Sequence, residues 1–135
     1  MRTATLAVLP FLAGLAACDA TDGDMPTPPE GAVLFADNCT ACHGYRADGG
    51  GNLVGGQTAP DLTRIATRNG GDFPRAAVLS QIDGYGRGKV SAKVMPEFGT
   101  LLEGDLVPVD VDGNLTPTPR PLAALMIYLE SIQVP

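Results

Sequence analysis

The sequence predicts an all-α domain whose helices close around a bound group. Three observations lead to that fold class. The C-terminal segment places Leu122, Leu125, Met126, Leu129 and Ile132 on one stripe at helical spacing. Upstream segments carry helix start and stop signals more than the two-residue alternation of strands. The chain is 44% apolar but only 5% aromatic, with no tryptophan in 135 residues, so bulky side chains alone fill so small a core poorly.

The elements follow in order. Met1-Arg2-Thr3 and the apolar run "LAVLPFLAGLAA" read as a secretory signal, because the run is short and holds Pro10. Its end, "LAAC", resembles the lipobox of bacterial lipoproteins. The expectation is a signal over residues 1–17 and an acylated Cys18 as membrane anchor; the alternative is an ordinary signal with an incidental cysteine. Residues 18–27 then form a flexible tether and 28–135 the domain, with the acidic, proline-bearing composition running on to Glu30.

The first helix starts in "TPPEGAVLFADNC". Thr27 and Glu30 have capping-box spacing, and proline suits the first helical position. Gly31 shares a face with Leu34 and Phe35, and a glycine there lets another helix come close. A second helix is predicted over "DLTRIATRN", with Asp61 as cap, Leu62 and Ile65 inward and Gly70 as stop. A third fits "PRAAVLSQID", between Pro74 and Gly84. The last bears the apolar stripe, with Thr118 as cap and Pro119 and Pro121 in the first turn. Before it, the alternation around Asp112-Gly113 predicts a small hairpin or extended loop. Asp110, Asp112 and Asn114 lack the bidentate glutamate of a calcium loop and read as a turn. "GGGNLVGG" and "GYGRGK" lack the context of phosphate loops and read as tight turns around something flat.

A net charge of −6 and the absence of a basic, aromatic-studded stripe exclude nucleic acid as a partner. The chemistry concentrates in "CTACHG", which contains His43, the only histidine of the chain. Cys39-x-x-Cys42-His43 is the attachment pattern of c-type haem. Residues three apart on a helical turn share a face, so two sulfurs reach the vinyl groups on one porphyrin edge while the following imidazole projects beneath the ring. A thioredoxin-like thiol pair would want a strand-to-helix setting, a structural zinc would want a fourth ligand, and a plain disulfide leaves His43 unexplained.

From these residues the chain resembles the class I, monohaem cytochrome c family over roughly residues 28–132. The resemblance implies one covalent haem c held by Cys39, Cys42 and His43, and N- and C-terminal helices crossing at Gly31, Phe35, Leu125 and Tyr128. It also implies two shorter helices around the haem. "TAPDL" resembles the family's proline loop, giving Pro60 the carbonyl that accepts the His43 ring N–H. Among Met25, Met95 and Met126, the first lies in the tether and the last on the core stripe. Met95 precedes Pro96 in "KVMPEF" and matches the family's Met-Pro iron-ligand motif.

With His43 and Met95 filling both axial positions, no small-molecule substrate reaches the iron. The expectation is a one-electron carrier and not an enzyme, lipid-anchored on the periplasmic side of the bacterial inner membrane among redox protein partners. It could equally be a subunit of a redox complex. A haem sensor, or an oxidase or dehydrogenase subunit whose methionine can dissociate, is the alternative, and a thiol oxidoreductase a more distant one. Arg87, Lys89 and Lys93 stand in a stretch without acids, predicting either a basic rim that docks an acidic partner or a solvated loop. The 104–118 stretch is longer than the family's usual link and could carry partner contacts.

Overall fold

A computed structural model describes residues 25–85 and 94–135. Cys18, the signal and most of the tether lie outside the described residues, as do Arg87, Lys89 and Lys93. The described chain runs α1 (Pro28–Asn38), α2 (Thr40–His43), a 3-10 turn (Leu62–Arg64), α3 (Ile65–Arg68), α4 (Arg75–Asp83), β1 (Leu106–Val111), β2 (Asn114–Pro119) and α5 (Arg120–Ser131). Among the described residues the fold is therefore helical with one two-stranded antiparallel sheet, which lies where the alternation around Asp112-Gly113 predicts a small hairpin.

α1 starts where its local chemistry says. Thr27 donates both its backbone N–H (3.3 Å) and its hydroxyl (3.2 Å) to the Glu30 carboxylate, and Pro28 needs no partner for an N–H it lacks. Glu30 also accepts from Arg120 at 3.1 Å through each oxygen, which joins the starts of α1 and α5. Gly31 lies against Ala124 and Tyr128 of α5, so close that a Cβ there would run into the Ala124 carbonyl. One turn on, the Phe35 and Tyr128 rings meet at 5.3 Å between centroids, tilted by 48°.

Three sequence expectations are corrected. α5 begins at Arg120, so Thr118 is not its cap; it is a buried β2 residue whose hydroxyl donates to the Thr116 carbonyl at 3.0 Å. Pro119 stands at the cap position, and Pro121 alone occupies the first turn. The segment after Asp61 is two short pieces, a 3-10 turn and α3, instead of one helix. Asp61 does cap it, accepting from the Thr63 N–H at 2.8 Å and hydroxyl at 2.6 Å; the hydroxyl bond is the main reason its carboxyl sits below the ordinary range. α4 runs from Arg75 to Asp83 and is capped by Gly84, whose φ of 97° is left-handed.

The hairpin closes on Asp112 and Gly113, both at positive φ (53° and 84°), the geometry of a type I′ turn. Asp110 Oδ1 accepts from the Gly113 N–H at 2.8 Å, so this carboxylate closes the turn. Alternation decides the two faces: Val107, Val109 and Thr118 point into the core, while Leu106, Pro108, Leu115 and Pro117 are exposed. The inner face joins one apolar cluster with Phe35, Val78, Leu79, Ile82, Leu102, Leu122, Leu125, Met126 and Leu129.

Arg75 fastens this assembly. Its Nε and one terminal nitrogen donate to the two Glu130 oxygens at 3.1 and 2.9 Å, and the other nitrogen donates to the Asp110 carbonyl at 2.9 Å. One side chain thus ties α4, α5 and β1 with a bidentate geometry. Both partners are about a third exposed, so solvent screens the pair. Arg75→Ala is expected to cost about 1 kcal/mol. A urea midpoint that does not fall, at unchanged slope, would show that the clamp contributes nothing.

Candidate functional site

α1 ends at Cys39, whose N–H donates to the Phe35 carbonyl at 2.9 Å, and the chain turns at once into α2. The His43 N–H donates back to the Cys39 carbonyl at 2.9 Å, so the Cys39–His43 stretch is a single closed turn. Gly44 follows at φ 76°, where a side chain would be strained, and ends the turn. Cys39 and Cys42 are both half-buried, and no disulfide joins them. Burial, then the neighbouring Cys42, pushes the Cys39 thiol up to about 11.

His43 is buried at 8% exposure. Its Nδ1–H donates to the Pro60 carbonyl at 3.2 Å, leaving Nε2 as the ring atom with a lone pair. Burial lowers the pKa of the imidazole and the Pro60 bond pulls it partly back, so the neutral, ligating form is favoured.

The glycine-rich loop reaches Pro60 by wrapping the chain's own backbone. Gly49 donates to the His43 carbonyl at 3.0 Å, Asn52 to Ala41 at 2.8 Å and Leu62 to Ala47 at 2.7 Å. A Cβ on Gly51 would collide with the Cys42 carbonyl. The close approach expected of "GGGNLVGG" holds at Gly51, where it is made to peptide backbone, whereas a Cβ on Gly55 or Gly56 would meet nothing within 4 Å. Ala47, fully buried at φ 57°, was missed; a left-handed alanine carries no local signal.

Met95 is held by a different part of the chain. Past Gly84 the chain returns, and Phe98 and Gly99 donate to the carbonyls of Ile82 and Asp83 at 3.0 and 3.1 Å, fixing residues 97–99 on the end of α4. Met95 is half-buried and packs on the apolar cluster. Its sulfur accepts from the Gln81 amide at 3.7 Å. Gln81 was also missed, because a surface-type glutamine on α4 looks like any solvated position. Met126 is buried at 1% and Met25 is exposed at 40%. Gln133 has a similar hidden role: it accepts from Ala66 N–H at 2.9 Å and donates to Leu62 and Leu129 carbonyls at 2.8 and 2.6 Å, pinning the pieces after Asp61 to the end of α5.

Two thiols and one buried imidazole on a single turn, with the second ring nitrogen already committed, in a helical domain poor in aromatics, define a covalent haem protein. A family model described as cytochrome c matches residues 29–132, and the chain belongs to that family, whose members carry covalently bound haem c. It is 42% identical over 91 residues to a Cbb3-type cytochrome c oxidase subunit, CcoP, of Cereibacter sphaeroides. The match covers 67% of this chain and 28% of that protein, so the chain corresponds to little more than a quarter of its relative. No solved structure matches the chain significantly. Electron transfer by a haem cytochrome is the function these relationships support. Among the described residues no helix is long and apolar enough to cross a membrane.

Proposed function

We propose that this chain is a monohaem electron carrier, tethered on the periplasmic face of the inner membrane, that passes electrons at or within a membrane redox complex of the terminal-oxidase kind. The observation that carries the reading is the buried His43, presented by the Cys39–Cys42 turn with its Nδ1 bound to Pro60. Bound here, haem c supplies reversible one-electron iron chemistry. Cys39 and Cys42 hold it covalently, so it is retained outside the cell membrane. Pro60 fixes the His43 tautomer and orientation and aims Nε2 at the metal. Met95 supplies a soft, neutral sulfur that favours the reduced state. Gln81 orients that sulfur by donating to it, and the same bond draws charge from it.

Were His43 Nε2 and the Met95 sulfur both to hold the iron, reactants would be excluded and only an electron would cross. The relative's name, an oxidase subunit, supports a terminal oxidase as the destination. An anchor at Cys18 would confine the carrier near such partners and raise its effective concentration there. Mass measurement and a reduced visible spectrum of the protein matured with a c-type assembly system test the reading. A chain without a haem adduct, or one whose adduct is lost on denaturing extraction, would overturn it.

Gln81 gives a finer test. One hydrogen bond is worth about 1 kcal/mol net, which for one electron corresponds to about 40 mV. Gln81→Ala is expected to lower the midpoint potential by a few tens of millivolts while Gln81→Glu, protonated at low pH, restores part of it. A potential identical to the parent's would remove Gln81 from the ligand set's support.

A further inference from the structure

The 103–119 region holds a surface to which none of the haem-site residues named above contributes. The outer face of the hairpin presents Leu106 (63% exposed), Pro108, Leu115 (74% exposed) and Pro117 side by side, because the register pairs Pro108 with Pro117 and Asp110 with Leu115. The core is already served by the inner face, so these apolar side chains do nothing for packing. A solvated hairpin face ordinarily carries polar residues, and an apolar patch with a polar rim marks an interaction site. The rim is acidic: Glu103 and Asp105 stand before β1, Asp110 and Asp112 at the turn end, all exposed. No lysine, arginine or histidine occurs from residue 94 to 119.

The backbone edges offer a partner few hydrogen-bonding groups. The two-residue turn makes Val111–Asn114 a hydrogen-bonded pair, so Leu106, Pro108, Asp110, Leu115, Pro117 and Pro119 fall at positions whose backbone groups face outward. Three of these six are prolines, which have no N–H to offer. The Asp110 carbonyl is occupied by Arg75, and the Asp105 carbonyl accepts from the Arg120 N–H at 2.8 Å. Recognition by strand addition is thereby disfavoured, and the side-chain face is the larger surface on offer.

We propose that this outer face docks a protein whose shallow apolar patch is ringed by lysine and arginine, holding the cytochrome in place within a larger assembly. A second copy meeting it with the same face would set carboxylates against carboxylates, and an anionic bilayer would repel the same rim. The inference needs no haem ligand, and the c-type absorbance of each variant reports the haem reading separately.

Benzoylphenylalanine placed at 106 or 115 of the full chain, in cells that make it, provides the test. Val33, exposed at 62% on α1, is the control position. The expected result is one protein cross-linked from both 106 and 115, through a peptide bearing lysine or arginine. The yield should be about tenfold above that at 33. The yield should fall several-fold in high salt or when Glu103, Asp105, Asp110 and Asp112 are changed to their amides. A cross-link to another copy, a lipid adduct, a yield no higher than at 33, or no product would each overturn the proposal.

Discussion

Gly31→Val is expected to unfold the domain or to cost it at least about 3 kcal/mol. A Cβ at this position would collide with the Ala124 carbonyl oxygen and lie 2.5 Å from Tyr128 Cβ and 2.7 Å from the Ala124 carbonyl carbon. Two of these three atoms are backbone in the middle of a 12-residue helix, so no rotamer change relieves the overlap. α1 would have to lift off α5, opening the Phe35–Tyr128 contact and the buried face beneath it. Gly31→Ala introduces the same Cβ and is expected to cost slightly less. Val33→Ala, on the exposed side of the same helix, should stay within about 0.5 kcal/mol. Thermal and urea unfolding of haem-loaded protein decide it; equal stability of the residue 31 and residue 33 variants would mean that the two helices do not need to touch.

Met95→Ala is expected to have the largest effect on function. Axial ligands span roughly 0.8 V of potential in haem proteins, and losing the thioether should lower this one by about 0.1–0.3 V. It should also let carbon monoxide bind the reduced protein, which the parent should resist. Met126→Leu is the matched control: Met126 is buried at 1% in the core, the swap conserves volume, and neither potential nor gas binding should change. If Met95→Ala behaves as the parent does, Met95 is not an iron ligand. If the parent itself binds carbon monoxide freely, the sensor alternative replaces the carrier.

What could be read from the sequence was what local chemistry decides. The Thr27–Glu30 cap, the Asp61 cap, the Gly84 stop and the Asp112-Gly113 turn each depend on residues within four positions of one another. The stripe on α5 was legible because burial writes a 3.6-residue period into a long helix. Cys39, Cys42 and His43 were legible because two thioethers and a ligand demand one spacing. Pro60 was named through family resemblance, and its carbonyl lies 3.2 Å from His43 Nδ1. Arg75, Gln81 and Gln133 were not legible. Their partners lie 55, 14 and up to 71 positions away, and polar residues of this kind take their meaning from where the chain returns. Thr118 was misread because a threonine before prolines signals a helix cap equally well whether or not a strand already occupies it.

Glu30 has a mechanical consequence. It both closes the first turn of α1 on Thr27 and grips Arg120. Tension entering through the residues ahead of Thr27 is therefore divided at once between the two longest helices.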